Sequence, residues 1–272
     1  MAQAFLLVLV AQALLPVLVA QAFLPVLVAQ AFLPVSSPLA GCSRDETGHL
    51  RYILGLPGSF ILSAPVRSGV LSVGCSEDLI LVKTADALER LDREGRTIRR
   101  WPAPAGEALF GFGQEPRSWV VYFPLTSQLY LATGDELRPL ALDLGAWGED
   151  VLAVTLTGQD EAAVVVRIAS GLRWLKVSLS GGHLREDREL AGAVAPVLVL
   201  RDGAIVWGAG EDLVVQASNG TQRRASLPAP LTQVELMREG WIRLKLSRGA
   251  GSLAVRLLER RDELYGLPEA AR

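Results

Sequence analysis

Val151-Leu-Ala-Val-Thr-Leu156, Ala162-Ala-Val-Val-Val166 and Leu172-Arg-Trp-Leu-Lys-Val177, followed by Ser180-Gly-Gly182, decide the fold of this chain. Runs this short, rich in β-branched, aromatic and aliphatic residues and bounded by turn formers, read as strands. The same order recurs on both sides. Glycine turns also stand at Asp92-Arg-Glu-Gly95, Thr133-Gly-Asp135 and Ser218-Asn-Gly220, so Gly95, Gly134, Gly182 and Gly220 are 39, 48 and 38 residues apart. Each turn follows a strand-like run: Ala87–Leu91, Gln128–Ala132, Leu172–Val177 and Asp212–Gln216. Upstream of each lies another, at Leu79–Val82, Trp119–Phe123, Ala162–Val166 and Ala204–Trp207, with a further one before that at Val151–Leu156 and Pro196–Leu200. A degenerate fifth unit runs through Gln233–Leu236, Trp241–Leu246 and Leu253–Leu258.

Three or four strands in roughly 40 residues, repeated, is the spacing of propeller blades. In that order of strands the chain resembles the broad class of bacterial β-propeller repeat proteins over residues 66–268. The expected fold class is therefore all-β and β-propeller-like, with five blades of three to four strands, six being the alternative count, over residues 50–272. A β-sandwich or a pair of small β domains is the structural rival. The units contain no WD dipeptide, kelch double glycine or calcium-binding Asp repeat, so no subfamily is named. Trp119, Trp207 and Trp241 occupy equivalent runs and are expected in the core.

Ahead of these units, residues 2–35 repeat a nonapeptide: AQAFLLVLV from Ala2, AQALLPVLV from Ala11, AQAFLPVLV from Ala20 and a truncated copy from Ala29. Pro16, Pro25 and Pro34 recur once per unit, each removing a helix hydrogen bond. The stretch ends at Leu39-Ala40-Gly41-Cys42, which resembles the lipobox of bacterial lipoproteins. That resemblance implies export, acylation of the Cys42 thiol and cleavage before Cys42. It divides the chain into a signal segment (1–41), a lipidated tether (42–49) and the repeat domain. It also implies a lipid-anchored protein of the bacterial cell envelope, with outer-membrane delivery favoured because Ser43 is not an Asp. The apolar region is longer than the roughly 7–15 residues usual in a signal peptide, and no Lys or Arg precedes Arg44. An uncleaved membrane anchor and a mis-assigned start codon therefore stand beside the lipoprotein reading.

From Cys42 onward the chain carries all 27 basic and 29 acidic side chains. That balance gives no reason to expect nucleic acid, whose binding needs a basic surface. If Cys42 is acylated, Cys75 has no partner and is expected as a small buried hydrophobe. Only His49 and His183 are present, one in the expected tether and one in a hairpin turn, which leaves no nucleophile–imidazole arrangement and too few ligands for a metal. No catalytic residue and no cofactor is assigned.

Carboxylate pairs at Glu149-Asp150 and Asp160-Glu161 fall at comparable loop positions and are the candidate partner-binding residues; Glu211-Asp212 repeats the pattern. Arg93, Arg96, Arg99 and Arg100, then Arg223-Arg224, then Arg260-Arg261, cluster at the expected outer strands, where charge discourages edge-to-edge aggregation. The function expected is a non-enzymatic binding or scaffold module, tethered to a membrane and holding an envelope protein or glycan. A propeller-type glycosidase or lyase is the alternative, since it would need two carboxylates held at a defined separation.

Overall fold

A computed structural model describes residues 37–115, 118–247, 249–258 and 261–269. Contacts divide the chain into two units, residues 1–37 and Pro38–Arg272, and the fold below is that of the second. The nonapeptide repeats, and Arg260, lie outside the described residues.

Among the described residues the strands form six antiparallel sheets in contiguous order. Blade A holds β1 (Leu39–Arg44), β2 (Leu50–Leu56) and β3 (Ser59–Leu62). Blade B holds β4 (Ser72–Cys75), β5 (Ile80–Lys83), β6 (Ala87–Leu91) and β7 (Thr97–Pro102). Blade C holds β8 (Leu109–Phe112), β9 (Ser118–Phe123), β10 (Gln128–Thr133) and β11 (Glu136–Leu140). Blade D holds β12 (Asp150–Gly158), β13 (Glu161–Ile168), β14 (Gly171–Ser178) and β15 (Leu184–Leu190). Blade E holds β16 (Val194–Val199), β17 (Ile205–Ala209), β18 (Asp212–Gln216) and β19 (Gln222–Ser226). Blade F holds β20 (Leu231–Arg238), β21 (Trp241–Leu246), β22 (Ser252–Arg256) and β23 (Glu263–Leu267).

The first strands form a closed ring in which β1 touches β4 and β20, β8 touches β4 and β12, and β16 touches β12 and β20. This is a six-bladed β-propeller, the alternative blade count of the sequence reading. The five units legible in the sequence are blades B to F, and every run assigned there is the second or third strand of its blade, or the first in blades D, E and F.

Period-two alternation makes the ring possible, because each blade offers one face to each neighbour. Along β13, Ala162, Val164 and Val166 pack toward blade C, while Ala163 and Val165 pack toward blade E. The six core clusters each lie between two adjacent blades. Close approach of neighbouring first strands depends on glycine: a Cβ on Gly74 would stand 2.7 Å from Phe110 Cβ, and one on Gly111 would meet the backbone of Val154 and Thr155. The turn glycines Gly95, Gly134, Gly182 and Gly220 have φ of 82°, 66°, 60° and 88°, a region that disfavours any residue with a Cβ.

Trp119, Trp207 and Trp241 are buried, as expected. Trp119 and Trp207 point toward the preceding blade, whereas Trp241 points forward across the closure of the ring onto blade A.

Blade A differs from what the sequence predicted. Within residues 42–49, expected as a tether, Cys42, Ser43 and Arg44 complete β1, and the turn through Asp45 and His49 leads directly into β2. The propeller begins at Leu39, not at residue 50. Its first strand also runs backwards. Gly41 packs on Met237 near the end of β20, while Glu46, beyond the end of β1, bonds Lys245, which pairs with Gln233 near the start of β20. By contrast β4, β8 and β12 run parallel, since Ala108 N–H donates to Ser72 Oγ at 2.9 Å and Thr155 Oγ1 donates to Phe112 O at 3.1 Å.

Cys75 is buried, but it is not a lone thiol. It forms a disulfide with Cys42, with Cα atoms 6.0 Å apart, inside the cluster that joins blades A and B. The hairpin reversal through β2 and β3 brings these two positions, 33 residues apart, onto neighbouring first strands.

Candidate functional site

The six first strands enclose a central channel of about 670 Å³. Val73, Leu109, Leu152, Leu198, Val234 and Leu236 supply an apolar wall. Its mouth lies on the face where β4, β8 and β20 begin, and the reversed β1 delivers its own end there. Arg44, Glu46, Glu107 and Lys245 stand at this rim.

The rim charges are paired. Arg44 Nη1 lies 3.7 Å from Glu107 Oε1, linking blade A to the start of blade C, and Lys245 Nζ donates to Glu46 Oε1 at 3.0 Å, linking blade F to blade A. Deeper in the wall, Arg243 Nη1 lies 2.9 Å from Glu235 Oε2. Between the rim and the β1–β2 turn, Asp45 accepts from Arg51 Nε at 2.7 Å, Thr47 Oγ1 at 2.7 Å, His49 N at 2.9 Å and Thr47 N at 3.0 Å. Burial alone raises the Asp45 pKa, but the Arg51 and backbone donors outweigh it and hold the carboxyl well below the usual range. Chemically, the mouth offers exposed anions and half-buried cations around an apolar well: Glu46 and Glu107 side chains are 77% and 70% exposed, those of Lys245 and Arg44 38% and 37%. Such a surface suits a partner that inserts an apolar group and meets charge at the rim.

The four carboxylates singled out in the sequence are not brought together. Glu149 and Asp150 open β12 and belong to the channel-mouth face, whereas Asp160 and Glu161 form the β12–β13 turn at the far end of that strand. Nine residues of extended chain separate the faces. Asp150 lies 3.6 Å from Arg167 within its own blade. Asp160 caps the β14–β15 turn, accepting from Ser180 N at 2.6 Å, Ser178 Oγ at 2.8 Å and Ser180 Oγ at 2.9 Å. These hydroxyl and amide donors, with Arg185 nearby, lower its pKa. Glu161 is held between Lys176 at 3.2 Å and Arg185 at 2.5 Å; contact with Glu161 raises the Lys176 pKa. The second pair thus acts in turn geometry.

The arginines follow the sequence reading more closely. Arg99, Arg100, Arg223 and Arg224 lie on the outermost strands β7 and β19. Arg223 also reaches blade F, donating to Asp262 at 3.0 and 3.2 Å. It borders a second cavity of about 620 Å³ between blades E and F, with Arg201, Asn219 and Thr221. Of the lipobox residues, Leu39, Ala40 and Gly41 lie in β1, with Ala40 1% exposed.

No protein-family model and no curated protein matches the chain. Solved structures do. A protein of unknown function from Bacteroides caccae is similar at 12% identity and TM-score 0.51, covering 84% of this chain and 98% of that one. The Pan2 WD40 domain of Neurospora crassa is similar at 8% identity and TM-score 0.51, over 86% of this chain and 80% of that one. PorZ of Porphyromonas gingivalis, a bacterial surface component of the type-IX secretion system, is similar at 13% identity and TM-score 0.50, over 86% of this chain and 33% of that one. At these identities the likeness is one of fold, and the chain is a β-propeller of no assigned subfamily.

Proposed function

We propose that this propeller is a non-catalytic binding module of an oxidising envelope compartment, and that it takes its partner at the mouth of the central channel. The observation that carries the reading is the rim itself, where exposed carboxylates and half-buried cations from blades A, C and F surround an apolar well. Rigid strands position these groups, and the connections carry the recognition. The Cys42–Cys75 disulfide supports an oxidising compartment, since such bonds persist in exported proteins and are rare in the cytosol. The apolar repeats support export. Among the described residues no helix is long and apolar enough to cross a membrane, so a membrane tether rests on the N-terminal sequence alone.

The test is capture from detergent-solubilised envelopes by the purified chain, followed by mass spectrometry and a direct binding measurement with the partner so identified. Val234→Trp, which narrows the channel, and the double reversal Glu107→Lys with Lys245→Glu, which breaks both rim pairs, should each weaken binding at least tenfold. The charge-reversed variant should melt within a few degrees of the parent, because exposed ion pairs contribute only about 0–1 kcal/mol, whereas Val234→Trp, at a side chain that also packs on the core between blades E and F, should cost about 1–3 kcal/mol. Unchanged binding by both variants, with loss on neutralising Arg201 and Arg223, would move the site to the cavity between blades E and F. Turnover of an envelope glycan by the purified chain would replace the binding module with an enzyme.

A further inference from the structure

We infer that the folded protein is not cut before Cys42, and that Leu39, Ala40 and Gly41 remain as half of a ring strand. In that state Cys42 is a disulfide cysteine and not a lipid-bearing one. This stands apart from the proposed binding role, which needs no particular N-terminus.

Four observations converge on β1. Pro38 O accepts from Gly55 N at 2.9 Å, and Leu39 pairs with Leu54, so the strand ladder already exists upstream of the lipobox cysteine. Ala40 is 1% exposed, in the cluster that seals blade F against blade A. Gly41 lies so close to Met237 that an added Cβ would stand 2.8 Å from Met237 Cβ. Cys42 and Ser43 are 2% and 3% exposed.

Cleavage before Cys42 would remove the part of β1 that faces blade F. It would also place a new, acylated N-terminus in the middle of a ring strand. Acylation and the disulfide compete for one sulfur. A thioether to a diacylglyceryl group uses the Cys42 Sγ valence that the bond to Cys75 Sγ needs. Forming the disulfide instead takes two protons and two electrons from the thiols. These pass to the disulfide of an envelope thiol oxidoreductase, which leaves as its dithiol. Any processing compatible with the ring lies upstream of Pro38.

Gly41 separates the two readings, because a lipobox accepts any small residue there whereas the ring has no space for a methyl group. The full-length chain is expressed with export in a bacterial host, and its intact mass and N-terminus are determined with and without reduction before alkylation. The expected protein retains Leu39–Gly41, carries no acyl mass, and takes up alkyl groups on both cysteines only after reduction. Cys42→Ala should leave the same N-terminus, a readout that does not depend on folding. Gly41→Ala should be processed as the parent but melt about 2–10 °C lower, as overpacking in a tight site requires. A mature chain that begins at an acylated Cys42 and gives way to a longer precursor under globomycin would overturn the inference. So would free thiols at both cysteines in the exported protein, or an unchanged melting temperature for Gly41→Ala.

Discussion

The ring closes between its first and last blades through aromatic packing, and Trp241 is the residue on which that closure can be measured. Its indole is 5% exposed. It meets the edge of Phe60, from blade A, at 5.8 Å between centroids and 81° between planes, and the ring of Tyr265 at 5.7 Å. Arg238 and Arg256 approach its face at 5.4 and 6.0 Å. A side chain of this size hides about 150–250 Å², worth about 4–6 kcal/mol at about 25 cal/mol per Å². Partial collapse of the neighbours brings the expected cost of Trp241→Ala to about 3–5 kcal/mol. In a chain of this length that lowers the melting temperature by about 6–20 °C.

Size alone would not show that two blades are joined, so the decisive measurement is a cycle. Phe60→Leu, Trp241→Leu and the double variant, unfolded in urea and followed by circular dichroism, should show a coupling of about 0.5–1.5 kcal/mol across the seam. The urea dependence of the free energy should stay constant through the cycle. Additivity to within about 0.3 kcal/mol would refute closure through these rings.

Three other outcomes follow from the described geometry. Reduction, or Cys75→Ala, should cost about 3–4 kcal/mol by the chain entropy of a 33-residue closure, read as a drop in urea midpoint; equal midpoints with and without dithiothreitol would show that the disulfide adds nothing. Because the Asp45 pKa lies below its unfolded value, its contribution is complete above about pH 5 and is lost as pH falls through the unfolded value toward the folded one. The parent should therefore lose melting temperature more steeply than Asp45→Asn between about pH 5 and about pH 2, and parallel curves would remove Asp45 from the account. Asp160→Asn should lower the melting temperature at pH 7 although the residue lies at the surface, since it weakens the cap on the β14–β15 turn. A variant as stable as the parent would contradict that role.

Blades B to F were legible because their second and third strands are buried on both faces, and so combine apolar runs with a glycine turn that only a positive φ explains. Their outermost strands carried only a charge signal: Thr97–Pro102, Leu184–Leu190 and Gln222–Ser226 are charged and largely exposed, so the arginines of the first and third pointed to outer strands without giving their bounds. Blade A was hidden for a different reason. Leu39-Ala40-Gly41-Cys42 satisfies a processing signal and a tightly packed strand equally well, since both demand small residues, and the neighbours Met237 and Cys75 are brought to it only by the fold. The channel rim was beyond reach, because Arg44, Glu46, Glu107 and Lys245 become neighbours only when the ring closes. The placement of the acidic pairs was equally out of reach: Glu149-Asp150 and Asp160-Glu161 look alike in the sequence but lie at opposite ends of one strand.

Each blade is drawn from one continuous stretch of chain, and this sets an order in time. During synthesis the last residue of blade A, Leu62, precedes the first of blade F, Leu231, by 169 residues, which at about 5–20 residues per second is a delay of roughly 8–34 s. Throughout it Ala40, Ile53 and Phe60 wait for a surface that has not yet been made. Cys75 follows Cys42 by only 33 residues, so in an oxidising compartment the disulfide can hold the first blade to the second before the last blade has folded. The oldest part of the nascent ring is thus fastened on one flank long before its other flank finds a neighbour.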